Sequence, residues 1–155
     1  MTQLKHKPTI GITMGDPAGI GAQIIVKSLC DPALLQRAKF VVYGANESLT
    51  LAADMCQIQP RWFRVDGQSK RAASTIAESF VVLDDSEDEL YEIRHEPSAL
   101  GGGVSKRWVE TAIKDAMRST TDPRHVDAVV TAPICKQSWT AAGYKWAGHT
   151  EELAA

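Results

Sequence analysis

Several features that often give away a protein's function are missing from this chain. Its 155 residues contain three cysteines, Cys30, Cys56 and Cys135, widely spaced, with no Cys-x-x-Cys pair and no histidine at metal-ligand spacing. That pattern excludes a zinc-ribbon type of site and a disulfide framework, and leaves reduced thiols in a cytoplasmic protein as the expectation. No apolar run approaches the roughly 20 residues needed to cross a bilayer. The polar, basic stretch Met1–Pro8 has no apolar segment behind it, so neither a membrane anchor nor a secretory leader is expected. Charge of one sign is not in excess either: 17 Lys and Arg against 19 Asp and Glu give a net charge of -2, which offers nucleic acid nothing to hold. The sequence contains neither the G-x-G-x-x-G dinucleotide fingerprint nor a P-loop ending in Gly-Lys-Ser/Thr. What remains, at 44% hydrophobic and 23% charged residues, has the balance of a globular domain long enough to bury a core.

Short apolar runs alternate with helical patterns along the chain. Thr9 to Thr13 reads as a strand and Ile20 to Leu29 as a helix, with Asp31-Pro32 stopping it and opening another. Phe40 to Tyr43, Trp62 to Val65, Phe80 to Leu83 and Val126 to Val130 read as further strands, and Ser48 to Cys56 as a helix. Asp84 to Arg94 is acidic and aperiodic, as a solvated connection would be. After Gly101-Gly102-Gly103, which reads either as a turn or as a loop over a site, comes the clearest helix. Val104, Trp108, Ala112, Ile113, Ala116 and Met117 form its apolar stripe, Asp115 falls on the polar side, and Asp122-Pro123 closes it. Val126 to Val130, mostly apolar on both faces, has the look of a buried parallel strand. Strand–helix alternation of this kind predicts an α/β fold with a parallel sheet covered on both faces.

Chemistry-bearing residues sit where strands end. The run Thr9-Ile-Gly-Ile-Thr-Met-Gly15-Asp16-Pro17-Ala-Gly19-Ile-Gly21 is a strand, a glycine-punctuated turn with one acid, and a helix start. Open α/β sheets place ligands at the carboxyl ends of such strands. Asp16 suits a ligand-facing acid or a turn-forming Asx residue, and the glycines suit either close ligand approach or a tight turn. Lys136, after Thr131-Ala-Pro133-Ile-Cys135, suits an anion clamp or a solvated charge. In Gly148-His149-Thr150-Glu151 an imidazole and a hydroxyl stand side by side at a helix start, placed to hydrogen-bond a polyol or carboxylate, or simply to cap the helix. His6, His95 and His125 lie in charged surroundings and read as solvated, whereas the four tryptophans read as core or interface anchors.

Three of these segments together resemble one family. Ile12 to Gly21, Val129-Val-Thr-Ala-Pro-Ile-x-Lys136 and Gly148-His-Thr-Glu151 are similar, in this order and separation, to motifs of the 4-hydroxythreonine-4-phosphate dehydrogenases of vitamin B6 biosynthesis. Ser98 to Val104 resembles that family more loosely. The chain departs from it at Gly21-Ala22-Gln23, where many members have Gly-Pro-Glu, and at Cys135, where a small polar residue is common.

The resemblance implies a parallel-sheet α/β/α architecture like that of isocitrate and isopropylmalate dehydrogenases, with two lobes, a cleft and a homodimer. Residues 1–155 then correspond to the N-terminal portion, with the C-terminal metal- and cofactor-binding portion absent. It implies NAD(P)- and divalent-metal-dependent oxidation and decarboxylation (zinc, magnesium or cobalt) of a phosphorylated 3-hydroxy acid such as 4-phosphohydroxy-threonine or D-threonate 4-phosphate. A sister branch acts on cyclic diol dicarboxylates. His149 and Thr150 are the substrate-binding pair by this resemblance; Asp16, Gly19 and Lys136 are candidates for the cleft from position, and no catalytic base is assignable. The family's metal-binding histidines have no counterpart in the 155 residues, so the expectation is an isolated chain without turnover, the alternative being a catalytically dead remnant or binding module. The expected partners are a small-molecule substrate and a second subunit.

Overall fold

The computed structural model describes residues 7–69, 78–84 and 96–145. Its elements run β1 (Thr9–Thr13), α1 (Gly21–Leu29), α2 (Pro32–Arg37), β2 (Lys39–Tyr43), α3 (Asn46–Met55), β3 (Phe63–Asp66), β4 (Phe80–Asp84), α4 (Ala99–Ala116), β5 (Ala128–Thr131) and α5 (Lys136–Ala141). The strands form one sheet in the order β3-β4-β2-β1-β5, and every pairing is parallel.

Side-chain parity sorts the layers. Tyr43 donates to Asp115 of α4, so Val41 and Tyr43, with their register partners Val81 and Leu83, face that helix. Phe40, Val42, Phe80 and Val82 face the opposite way, where Phe80 shares a small hollow with Val26 and Leu29 of α1. Helices therefore cover both faces, and Val41, Val42, Val81 and Val82 are wholly buried. Each such side chain contributes about 1.5–3 kcal/mol of burial. This is the expected α/β fold with a covered parallel sheet.

Local chemistry sets most element boundaries. Asp31 accepts the Ala33 amide and Pro32 opens α2. Ser98 caps α4 by accepting the Gly101 amide at 3.0 Å. The three glycines are therefore neither a turn nor a loop over a site; they form the first turns of α4 itself. Glycine costs a helix about 1 kcal/mol relative to alanine. Packing explains its use here, because a Cβ on Gly102 would collide with the carbonyl of Ser138 in α5.

Five further expectations need correction. The apolar stripe of α4 holds at Val104, Trp108 and Ala112, but Met117 is 82% exposed as the residue that ends the helix. Asp115, expected on the solvent side, is 1% exposed because Tyr43, Arg118 and Arg124 all donate to it. Helix α4 stops at Ala116, short of Asp122, which instead organises the next turn by accepting the Arg124 amide at 2.8 Å. β5 is not a buried strand. It pairs only with β1 among the described residues and leaves Val130 51% exposed, since α4 covers one of its faces and the far edge carries no described neighbour. Asp84, expected to begin a solvated connection, ends β4 fully buried, accepting from the Asn46 amide and from Arg64 Nε. The remainder of that connection lies outside the described residues.

Candidate functional site

The topology points to one place. β1 and β5 are neighbours, yet the chain leaves β1 for α1 on one face of the sheet and leaves β5 for α5, which packs on α4, on the other. A crevice opens outside the carboxyl ends of adjacent strands whose connections diverge in this way, and open α/β sheets bind ligands there.

The loops after these strands are laced together. Ala132 donates to Thr13 O at 3.0 Å, and Asp16 donates through its amide to Pro133 O at 3.1 Å. Gly15 has φ +77°, and a Cβ there would run into the Pro133 carbonyl, so this turn requires glycine. Between the loops lies an open, largely apolar cleft of ≈ 310 Å³. Asp16, Ala18, Gly19 and Ile20 form its first wall, Pro133, Ile134 and Cys135 a second, and Glu96 with Pro97 the third.

Asp16 sits in this cleft but is only 4% exposed, and its carboxylate is turned inward. Oδ1 accepts the Ala18 amide at 2.8 Å, which makes the residue a turn former, and Oδ2 accepts the Ser138 hydroxyl at 2.6 Å. Of the two readings the sequence left open, the structure favours the Asx turn. Gly19 lines this cleft as well. Lys136 is the first residue of α5, exposed, and outside the cleft lining. Gly148, His149, Thr150 and Glu151 lie outside the described residues, so two of the three motif loops are seen to meet.

Ser98, Ser138, Glu96 and Cys135 also belong to this neighbourhood and were not singled out as site residues. Ser98, as a serine three residues before a glycine-opened helix, had a capping signal. Ser138 had none, because its partner Asp16 stands 122 positions away. Among the described residues no grouping of three or more His, Cys, Asp or Glu side chains is placed to hold a metal ion.

A second polar cluster lies on the α4 side of the sheet. Asp115 accepts from Arg118 Nε at 2.7 Å, Arg124 Nη2 at 2.7 Å and the Tyr43 hydroxyl at 3.0 Å. Burial first, and the Asp115 carboxylate second, push the Tyr43 hydroxyl far above its ordinary pKa; the hydrogen bond to Asp115 raises that of Arg118. His125, expected to be solvated, places Nδ1 3.0 Å from the Arg118 carbonyl at the edge of this cluster.

Comparison with known proteins agrees with the motifs. The model of the family described as "Pyridoxal phosphate biosynthetic protein PdxA" matches residues 36–155. The chain belongs to this family. It is 33% identical over 150 residues to a 4-hydroxythreonine-4-phosphate dehydrogenase of Trichlorobacter lovleyi, covering 96% of this chain and 43% of the relative. To the D-threonate 4-phosphate dehydrogenase of Cupriavidus necator it is 31% identical, again covering 96% of the chain and 43% of the relative. The crystal structure of a 4-hydroxythreonine-4-phosphate dehydrogenase from Burkholderia phymatum superposes with a TM-score of 0.77 at 29% identity, over 97% of this chain and 43% of the other. The chain thus spans less than half the length of the PdxA-family proteins it matches.

Proposed function

We propose that the chain is the N-terminal portion of a two-lobed, homodimeric, NAD(P)- and divalent-metal-dependent dehydrogenase acting on a 4-phosphorylated hydroxy acid. The observation that carries this reading is the family match, with relatives of nearly equal identity named for 4-hydroxythreonine 4-phosphate and for D-threonate 4-phosphate. The substrate names share a four-carbon chain, an acid group and a terminal phosphate, so the class is proposed and the choice within it is not. The position of the cleft, at the diverging ends of β1 and β5, supports a small-molecule ligand over a macromolecular one.

In this reading the alcohol carbon beta to the carboxylate loses a hydride and its hydroxyl loses a proton, and the resulting 3-keto acid releases carbon dioxide. The nicotinamide, when bound, supplies the hydride acceptor. The described residues contribute a wall. Ile20, Pro97, Pro133 and Ile134 offer an apolar surface to the open cleft, and the inward carboxylate of Asp16 holds the turn in place. A divalent metal does not fit the described residues, which hold no suitable grouping of ligands. His149 and Thr150 would orient the substrate, and Lys136 would attract its anionic groups.

The test compares the 155-residue chain with its reading frame extended to the length of the relatives. Each is supplied with NAD+, a divalent metal and either 4-phosphohydroxy-threonine or D-threonate 4-phosphate. The extended protein is expected to form reduced nicotinamide and carbon dioxide in equal amounts, and the 155-residue chain to form neither. Turnover by the short chain would overturn the incomplete-site reading. Inactivity of the extended protein on both substrates would overturn the dehydrogenase reading in favour of a catalytically dead binding module.

A further inference from the structure

The three walls of the cleft come from distant parts of the chain, and one hydrogen-bonded relay joins them. Asp16, in the first wall, accepts the Ser138 hydroxyl at 2.6 Å. Ser138 lies three residues past Cys135, in the helix that continues the second wall, and its Oγ accepts the Ser98 amide at 3.2 Å. Ser98 follows Pro97, in the third wall, and caps α4. Asp16 and Ser138 are both buried, so water does not compete for these bonds. The hydroxyl has one proton and spends it on a carboxylate, which makes this the stronger, charge-assisted link.

We propose that Asp16 and Ser138 are positioning residues for the cleft: the Asp16–Ser138–Ser98 relay fixes the separation of its three walls. Two observations support this beyond the bonds themselves. A Cβ on Gly101 would stand 3.3 Å from Asp16 Oδ1 and 3.2 Å from Ser98 Oγ, so the helix start presses against the relay. Gly102 is packed on the Ser138 carbonyl, so α5 cannot shift toward α4 to take up slack. Losing the relay therefore frees the third wall and the α5 start from the first wall, while the Asp16–Pro133 backbone bond still ties the first two loops together.

Cys135 lines the cleft, whereas Cys30 and Cys56 do not, and the three thiols make an internal comparison. The experiment measures iodoacetamide labelling of each thiol by peptide mass spectrometry, with hydrogen exchange at the Ser98 amide, in the 155-residue chain and its Ser138→Ala variant. Removing a hydrogen bond to a charged group should raise Cys135 labelling about threefold or more and speed exchange at Ser98, with Cys30 and Cys56 unchanged. Unchanged Cys135 labelling would overturn the proposal, as would equal acceleration of all three thiols, which marks general loosening. If Ser138→Ala fails to fold, Asp16→Asn, which keeps the shape and removes the charge, is read in the same way. Failure of both to fold would make the relay a folding determinant and also overturn its positioning role.

A kinetic arm rests on the dehydrogenase reading. In the extended protein Ser138→Ala is expected to raise KM for NAD+ or D-threonate 4-phosphate by a larger factor than it lowers kcat; an equal fall in kcat with KM unchanged would count against positioning. Absence of turnover in the unsubstituted protein would count against the function alone, because the thiol measurement needs no activity.

Discussion

The carbonyl of Ser138 occupies the space a side chain on Gly102 would need, so α4 and α5 are in backbone contact at that point. One residue further on, a Cβ on Gly103 would meet nothing nearer than the Tyr144 hydroxyl at 3.8 Å, an ordinary contact. Gly102→Ala is therefore expected to destabilise the chain by about 1–3 kcal/mol through overpacking. Gly103→Ala should stabilise it by roughly 0.5–1 kcal/mol, because alanine is the better helix former. Urea denaturation of both variants tests the pair, and equal signs would contradict the packing described.

Asp115 gathers two arginines of unequal exposure. Its own side chain is 1% exposed, that of Arg124 18% and that of Arg118 39%. Asp115→Ala strips the partner from a largely buried guanidinium and is expected to cost on the order of 3 kcal/mol. Arg118→Ala should cost about 1 kcal/mol or less, since solvent screens that pair. Raising the salt concentration should shrink the second effect and leave most of the first, as read from denaturation midpoints.

Tyr43 gives the chain a pH dependence at the alkaline end. Its hydroxyl, buried and donating to Asp115, holds its proton well past the ordinary value of 10.0. The unfolded tyrosine ionises first as pH rises, so the unfolded state gains and stability falls above that value. Below it the contribution is fully present. Tyr43→Phe should remove this part of the alkaline decline, so wild type and variant should differ less in midpoint at high pH than at neutral pH. A difference that stays constant across that range would show that Tyr43 ionises in the folded chain as it does in the unfolded one.

Lys136 is exposed at the start of α5, with its side chain free of the cleft lining. Lys136→Ala is accordingly expected to change stability by no more than about 0.5 kcal/mol. With the fold undisturbed, the substitution isolates the proposed attraction for anionic ligand. In the extended protein it should weaken binding of D-threonate 4-phosphate, measured by calorimetry, and an unchanged affinity would return the residue to the role of a solvated charge.

The sequence by itself determined the parallel α/β architecture, because runs such as Phe40–Tyr43 and Phe80–Leu83 are apolar at every position and so must be buried on both faces. It also carried the family, because the motif residues Gly15 and Pro133 stand just past strand ends, as the motifs have them. Tertiary structure alone decided the roles that depend on distant partners. The Asp16 turn is local, through the Ala18 amide, but its carboxylate faces inward because Ser138, 122 positions away, donates to it. Asp115 moved from an apparent solvent face into the core because Tyr43, Arg118 and Arg124 converge on it. Gly101 and Gly102 sit in helix close against the β1 loop and α5, and β5 is an edge among the described residues because the sheet order places it last. Local pattern records burial and capping, which act over a few residues; the choice between facing a ligand and facing the protein is settled by side chains that only folding brings within hydrogen-bond reach.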